Sequence, residues 1–522
     1  MSLYRNFINV GALTMASRAL GFVRDALVAA VLGTGPAADA YVAAFRFPNL
    51  FRRLFAEGAF NTAFIPMFAK SLEQEGQEPA RLWAARIMSW LVLVVGIVTV
   101  LVEIFMPWVL LPFVPGFADD PAKYELTVLL TRICFPYLMC MSLMAAYAAI
   151  LNALGFFKAG AFAPILLNVV MIAFMVPLII GDPESQVETA IWVAIGTLAG
   201  GVAQLAFVYA AIRRSGFVPR LQLPRFDGEV KRFWIRAIPA VLTGGITQIN
   251  IFVGTIIASA ADSAMSYLYY ADRLYQLPLG IIGIAIGTVL LPELSLHLSG
   301  GRHKEAEAAQ TQSLLISMLL SVPAATALIA LATPIVQILF ERGAFSSTAT
   351  VETARALVWF AAGLPAYVLI RVLQPGFFAR EDTVTPTIFA GVSAVVNIVL
   401  SLLLFPSLQH VGIAIATSVA AWANTALLAI WLARRGHFSL PLAEWRRHGL
   451  IILIAAIMAG TLYGLALLLT PWLAPTAPLL VQLLALGALV ALGLALYFAL
   501  IHLTRVQPLG QLLKRLRRRR AA

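Results

Sequence analysis

Arginine side chains occur inside two segments that are otherwise apolar enough to lie in a lipid bilayer. These segments are residues 8–32 and 38–69. A charged side chain near the bilayer centre costs from about 3 to more than 10 kcal/mol, so such residues usually face a bundle interior or a water-filled cavity. We therefore predict two helices that line a polar cavity. Their ionisable residues are Arg18, Arg24, Asp25, Asp39, Arg46, Arg52, Arg53 and Glu57.

Residue spacing places several of these side chains on shared helix faces. Asn49 and Arg52 are three residues apart, and side chains with this spacing are neighbours on a helix. Arg53 and Glu57 are four apart, which predicts an ion pair within the helix. On the preceding helix, Asp25 is placed to hold one of the arginines. A purely structural salt bridge is the favoured interpretation for Arg53, whereas a role beyond helix contacts is favoured for Arg18, Arg24 and Arg52.

A related cluster occurs in the second half of the chain. The stretch YYADRLYQLPLG places Asp272 beside Arg273 inside the apolar segment 263–297. The first two segments and the YYADRL stretch together hold six arginines against four carboxylates, so the surplus is positive. Guanidinium groups form bidentate hydrogen bonds with phosphate or carboxylate oxygens. If these residues served only in contacts between helices, Ser or Asn side chains would be sufficient. We therefore predict an anionic ligand in a partly dehydrated cavity.

The elements that position these residues are predicted to be membrane-spanning helices. Of the 522 residues, 61% are hydrophobic and 12% are charged, which excludes a soluble globular protein and is typical of a polytopic membrane protein. Windows of about 20 or more apolar residues predict an all-α protein with about fourteen spans. These spans are residues 8–32, 38–69, 83–112, 126–151, 161–181, 188–212, 231–258, 263–297, 311–333, 350–379, 384–405, 411–433, 448–470 and 478–503.

Basic residues concentrate in alternate loops and at both ends of the chain. The odd-numbered loops hold few, with Lys123 and Arg342 the clear exceptions. The positive-inside rule then predicts that both termini lie in the cytoplasm. The basic tail KRLRRRR follows the last span. In that position we interpret it as a topology anchor that contacts anionic lipid headgroups, in preference to a nucleic-acid-binding site.

The two halves of the chain resemble each other weakly. Aligning Tyr41 with Tyr267 places Pro66 on Pro292 without a gap. Each half would hold six spans, an even number, so the two lobes are related by a pseudo-twofold axis along the membrane normal. A C-terminal helix pair lies outside the repeat, and it either stabilises the second lobe or forms a groove for a lipid tail. The predicted domains are a first lobe at 1–215, a basic cytoplasmic linker at 216–228, a second lobe at 229–436, and the helix pair with the basic tail at 437–522.

No catalytic motif accompanies the charged cluster. The six histidines are scattered, and the chain contains no HExxH, no P-loop and no credible Ser, His and Asp set. Cys134 and Cys140 lack a metal-binding spacing. We therefore predict a protein that is not an enzyme, with no catalytic residue, metal site, cofactor or nucleic-acid partner.

Three runs of sequence resemble the MurJ (MviN) family of bacterial lipid II flippases, in the multidrug/oligosaccharidyl-lipid/polysaccharide exporter superfamily. They are SRALGFVRDALVAAVLG, DAYVAAFRFPNLFRRLFAEGAFNTAFIPMFA and YYADRLYQLPLGIIGIAIGTVLLPELS, and the similarity covers essentially the whole chain. The resemblance implies a multi-pass inner-membrane protein that moves lipid II, the undecaprenyl-diphosphate-linked peptidoglycan precursor, to the outer leaflet by alternating access. The further partners that we expect are membrane lipids and cell-wall synthesis or division proteins.

The resemblance also implies roles for individual residues. The family's functionally important cavity arginines match four positions here, which we predict to bind the cargo diphosphate: Arg18, Arg24, Arg52 and Arg273. Asp39 and Glu57 are further matching positions. The complete predicted set of supporting cavity residues is Asp25, Asp39, Arg46, Asn49, Arg53, Glu57 and Asp272.

The energy source and the cargo leave alternatives open. Some family members couple transport to a monovalent cation or to the membrane potential, but the seventh span offers Gln248 and Asn250 without a carboxylate, which disfavours a sodium site. Another undecaprenyl-linked oligosaccharide is an alternative cargo. A multidrug antiporter of the same superfamily is a further alternative. An antiporter for cationic drugs should have net acidic cavity residues, contrary to the positive surplus of this sequence. A non-transporting scaffold for cell-wall enzymes is the alternative from a different class.

Overall fold

The computed structural model describes residues 3–53, 61–181 and 185–506, with only the backbone of residues 3–8, 61–62, 240–247, 249 and 284–289. Within these ranges every regular element is helical, which confirms the predicted all-α fold. Helices are expected in a membrane-spanning chain, because the bilayer core offers no water to the backbone and a helix satisfies its backbone hydrogen bonds internally. Glu57 and the basic tail Lys514–Arg520 lie outside the described residues.

The first part of the chain forms helices that include both arginine-bearing segments. A short 3₁₀ helix at Pro115–Asp119 precedes α6. The helices are α1 (Leu3–Leu32), α2 (Pro36–Arg52), α3 (Asn61–Gln74), α4 (Gln77–Ile104), α5 (Met106–Leu110), α6 (Pro121–Cys134), α7 (Tyr137–Ala153), α8 (Phe157–Ile180) and α9 (Gln186–Arg214).

The remaining helices complete the bundle. They are α10 (Gly228–Ser259), α11 (Ala264–Ser299), α12 (His303–Ala330), α13 (Ala332–Phe340), α14 (Ser347–Phe378), α15 (Val384–Arg434), α16 (Leu442–Leu468), α17 (Thr470–Leu473) and α18 (Leu479–Leu503). Among the described residues, nine helices are long and apolar enough to cross a membrane. The four predicted spans outside that set fall on α1, α2 with α3, α10 and α11, which are also helical. The total of about fourteen spans stays a prediction.

Helix α15 contains a break that separates two predicted spans. Gln409 has φ 47° and ψ −130°, which is not a helical conformation. A Cβ added to Gly412 would lie 2.9 Å from the backbone carbon of Leu404, although eight residues of straight helix would span about 12 Å. The chain therefore doubles back near Gln409, between the predicted spans 384–405 and 411–433.

Residue contacts divide the chain into two compact units. The first unit comprises Met1–Ser266 with Arg342–Ser346, and the second comprises Tyr267–Glu341 with Ser347–Ala522. The division follows Ser266, whereas the sequence places the linker between its lobes at 216–228. The reason is that α10 packs within the first unit, against α3 and the 3₁₀ helix. The predicted internal repeat stays a prediction.

The basic linker is bound to α4 along part of its length. The Gln222 backbone N–H donates to Ser89 Oγ at 2.9 Å, and Trp90 Nε1 donates to the Arg225 carbonyl at 3.0 Å. Arg86 adds an ion pair to Asp227 at 3.1 Å. These bonds hold the linker against α4 near Arg86. Arg86 is the last basic residue of that helix before its apolar stretch.

The segment Arg342–Ser346 also packs within the first unit. The Ala344 backbone N–H donates to the Ala30 carbonyl at 2.8 Å. Gly343 has φ +56°, and a Cβ there would lie 2.3 Å from the Ala30 carbonyl oxygen. Only glycine permits both this backbone conformation and this approach to α1.

In the second unit, the C-terminal helices α16 and α18 pack against α12. The buried Tyr497 hydroxyl donates to the Leu319 carbonyl at 3.0 Å. Gln337 Nε2 donates to the Leu473 carbonyl at 3.0 Å, which ties α13 to α17. The helix pair outside the predicted repeat thus contributes to the apolar core of the second unit.

Candidate functional site

Arg18 lies in a cavity of the first unit that is bounded by α1, α7 and α8. The cavity volume is about 490 Å³. The Arg18 side chain is half-buried and makes no hydrogen bond or ion pair with any residue that the structure describes. A cation held open in this way attracts an anion at 4 Å by about 4 kcal/mol at an effective dielectric constant of about 20. The lining residues are Val10, Thr14, Ser17, Arg18, Asn152, Phe157, Gly160, Ala161 and Pro164.

Arg24, six residues further along α1, is in contrast tightly bound. Its Nε and Nη2 donate to Asp25 Oδ1 at 3.0 and 2.7 Å, and its Nη1 donates to Asn168 Oδ1 at 3.0 Å. Asn168 Nδ2 in turn donates to the Ser17 carbonyl at 2.9 Å. With 8% of Arg24 exposed, this network holds the guanidinium in one orientation. Asp25 therefore holds an arginine, as its position in the sequence predicts.

Helix α2 carries the next arginines. Arg52 Nε donates to Asn49 Oδ1 at 3.0 Å, which confirms that these side chains share a helix face. Asn49 Nδ2 donates to the Phe45 carbonyl at 2.7 Å, so the amide is held as well. Arg46 and Arg53 also interact with other residues. The predicted partner of Arg53 lies outside the described residues.

Asp39, in the first turn of α2, is fully buried and forms an ion pair. Its Oδ2 accepts from Lys123 Nζ at 2.9 Å and from the Ser263 backbone N–H at 2.9 Å. Its Oδ1 accepts from the Ser266 backbone N–H at 2.9 Å. Lys123 Nζ also lies 4.2 Å from the centroid of the Phe117 ring. None of these partners lines the cavity described above, so Asp39 has a separate, structural environment.

Local sequence explains how Lys123 reaches that position. Asp120 is the N-cap of α6, its side chain accepts from the Lys123 backbone N–H at 3.1 Å, and Pro121 occupies the first turn. In the sequence, Lys123 stands out only as a basic residue in an otherwise cation-poor loop. Its burial against Asp39 accounts for that exception.

The second unit contains the remaining predicted pair. Asp272 and Arg273 are both half-buried in α11. Asp272 accepts a hydrogen bond from Gln276 Nε2. Arg273 Cζ lies 4.7 Å from the centroid of the Tyr269 ring, a cation–π arrangement. The cation is thus supported on an aromatic face one turn earlier in the same helix.

Two residues of the first unit were not predicted as site residues. Asn168 joins α8 to Arg24, and Asn152 lines the cavity. Asn168 is a polar residue inside the apolar segment 161–181, whereas Asn152 directly follows the segment 126–151 and gave no such signal. Over residues 3–53, 61–181 and 185–506, no group of three or more His, Cys, Asp or Glu side chains is arranged to hold a metal ion.

The fold defines the class of the protein. A multidrug resistance MATE family transporter of the MOP superfamily, solved in an inward-facing conformation, matches 82% of this chain and 97% of its own chain with a TM-score of 0.66. Its sequence identity is 16%, so this likeness concerns the fold alone. The protein is a polytopic membrane protein that shares its all-helical fold with this transporter.

More similar proteins define the family. The structure of a lipid II flippase MurJ in an inward closed conformation matches 95% of this chain and 98% of its own, with a TM-score of 0.77 and 25% identity. A Rhizobium meliloti (strain 1021) protein named "Probable lipid II flippase MurJ" is 47% identical over 500 residues, covering 96% of this chain and 93% of that protein. The profile of the family described as lipid II flippase MurJ matches residues 28–483. This chain belongs to the MurJ family of lipid II flippases, which are transporters and not enzymes.

Proposed function

We propose that this chain moves lipid II from the cytoplasmic to the periplasmic leaflet of the bacterial inner membrane, with both termini in the cytoplasm. Family membership supports the cargo. The observation that carries the binding mode is the half-buried Arg18 side chain, which is exposed to a cavity without a partner among the described residues. The diphosphate of the cargo supplies the anion that this cation lacks.

The physical need for such a site follows from the cargo. A diphosphate bearing sugars and a peptide cannot cross about 30 Å of hydrocarbon unaided. Charge-assisted bonds from guanidinium groups replace part of the water that the phosphates lose. In our proposal Arg18 makes the first contact, while Arg24, Arg52 and Arg273 complete the binding set during alternating access. Asp25 and Asn168 orient Arg24 for this role.

We propose the membrane potential as the energy source. One elementary charge moved across 100 mV corresponds to about 2.3 kcal/mol, so a cavity with surplus positive charge responds to the potential. Collapsing the potential with an ionophore at constant sodium should then slow transport. Replacing sodium at constant potential should leave the rate unchanged, and a strong sodium requirement would instead favour cation coupling.

The test is the accessibility of lipid II at the outer leaflet of cells depleted of this protein. Cells are complemented with the wild type, Arg18→Ala, Arg18→Lys or the control Arg213→Ala, which alters an exposed cation at the end of α9. We expect restoration by the wild type and the control, partial restoration by Arg18→Lys and none by Arg18→Ala.

The other outcomes separate the parts of the proposal. Full restoration by Arg18→Ala, at equal amounts of protein in the membrane, would refute the role of this cation while leaving lipid II as cargo. Absence of restoration by the wild type would refute the cargo. The assay would then be repeated with other undecaprenyl-linked oligosaccharides, and failure there would favour a scaffold.

A further inference from the structure

The cavity around Arg18 has one cationic side and one neutral polar side. Thr14, Ser17 and Arg18 follow one another on a single face of α1, because residues three and four apart are neighbours on a helix. Asn152 lines the cavity from the last turn of α7. Its side-chain amide is exposed and makes no hydrogen bond with another described residue. The cavity thus offers a cation and an amide that both lack partners among the described residues.

The backbone around Asn152 keeps space open beside its amide. The helix ends there with a hydrogen bond of 3.0 Å from the Gly155 N–H to the Asn152 carbonyl. On α8, a Cβ added to Gly160 would lie 3.1 Å from Ala148 Cβ and 4.0 Å from Asn152 Oδ1. A side chain at Gly160 would therefore push against α7 and occupy the space next to the amide.

The size of the cavity matches one part of the cargo. Its volume of about 490 Å³ falls within the range of about 300–1,000 Å³ that is typical of sites for one drug-sized ligand. A disaccharide with a peptide exceeds this class, whereas a diphosphate with its first sugar belongs to it. The sugar hydroxyl and acetamido groups are neutral, and an amide can both donate to them and accept from them.

We propose that this cavity is a subsite for the diphosphate and the first sugar of the cargo, in which Arg18 binds phosphate and the Asn152 amide binds the sugar. The inference rests on the proposed function and adds a specificity-determining residue to it. Asn152 then discriminates between lipid-linked diphosphates with and without a sugar. Arg18 does not discriminate, since both ligands carry the phosphates.

The experiment measures binding of two lipids to the full chain in nanodiscs. One probe is undecaprenyl diphosphate, and the other is undecaprenyl diphosphate carrying a single N-acetylated sugar. We expect the wild type to bind the sugar-bearing lipid about tenfold more tightly, which corresponds to about 1.4 kcal/mol. Asn152→Ala should remove this preference while leaving the affinity for undecaprenyl diphosphate unchanged. Arg18→Ala should weaken both complexes.

Controls keep the outcomes distinct. Thr461→Ala alters an exposed residue of α16 whose hydroxyl bonds within its own helix at 2.9 Å, and it should leave both affinities unchanged. Asn152→Ser retains a hydrogen-bonding group and replaces Asn152→Ala if that variant fails to fold. It should reduce the preference without abolishing it.

Two results would overturn the subsite. One is equal affinity of the wild type for the two lipids, which would leave the proposed flippase function in place. The other is a variant of Asn152 that weakens both complexes to the same extent, which would indicate a structural role. Failure of the wild type to bind either lipid would instead refute the proposed function, and the subsite with it.

Discussion

Replacing Asp39 by Asn is expected to destabilise the first unit strongly. The side chain keeps its shape but only one acceptor oxygen, so the change removes the charge opposite Lys123 and one of the two hydrogen bonds from backbone N–H groups. Lys123 remains buried, and its other neighbours compensate little: the Phe117 ring at 4.2 Å and the Asp262 carboxylate at 3.8 Å, which is 97% exposed. Removing one partner of a buried ion pair costs about 3–5 kcal/mol.

The expected loss can be measured as a thermal shift. At about 2 °C per kcal/mol for a domain of this size, Asp39→Asn should lower the Tm by about 6–10 °C. Lys123→Met should cost less, because Asp39 keeps its bonds from the Ser263 and Ser266 backbone N–H groups at 2.9 Å. Intrinsic fluorescence of the purified protein in nanodiscs reports the unfolding.

The double variant Asp39→Asn/Lys123→Met tests whether the two charges act together. With both removed, the Tm should lie above that of Asp39→Asn alone. The reasoning would be wrong if the Tm losses of the two single variants simply added in the double variant, since residues in direct contact should be coupled. A loss below about 2 °C for Asp39→Asn would also contradict the magnitude taken from buried pairs.

Three other perturbations follow from the described contacts. Arg24→Lys keeps the charge but loses the two-pronged bond to the adjacent carboxylate, so it should cost about 2 kcal/mol in denaturant unfolding; an unchanged midpoint would contradict this. Gly343→Ala should lower the Tm by several degrees more than Gly216→Ala, because both have positive φ but only the former meets a backbone oxygen at 2.3 Å. The Thr385 backbone N–H is the main cause of the lowered pKa of Asp382. The ionised Asp382 carboxylate stabilises the fold fully above its ordinary pKa of 3.8, and this stabilisation is lost as the pH falls through the lowered pKa. Asp382→Asn should therefore flatten the plot of Tm against pH below about pH 4 and leave the slope of the plot above that pH unchanged.

Local properties of the chain were sufficient to predict much of this protein. Apolar segments of the required length predicted an all-helical membrane protein, since each helix satisfies its own backbone in hydrocarbon. The bond between Arg52 and Asn49 followed from their spacing on one helix. The three runs of sequence around the arginines indicated the family that the comparisons confirm. None of these inferences required knowledge of which helices are neighbours.

The tertiary structure decided which charges are bound and which are open. Asp39 and Lys123 are 84 residues apart, and Arg24 and Asn168 are 144 apart, so no local spacing could pair them. The sequence treated Arg18 and Arg24 alike, but only Arg18 faces a cavity without a partner among the described residues. The physical reason is that a helix presents several faces, and its packing, which for α1 is chiefly against α8, determines which face meets the Asn168 amide and which meets the cavity.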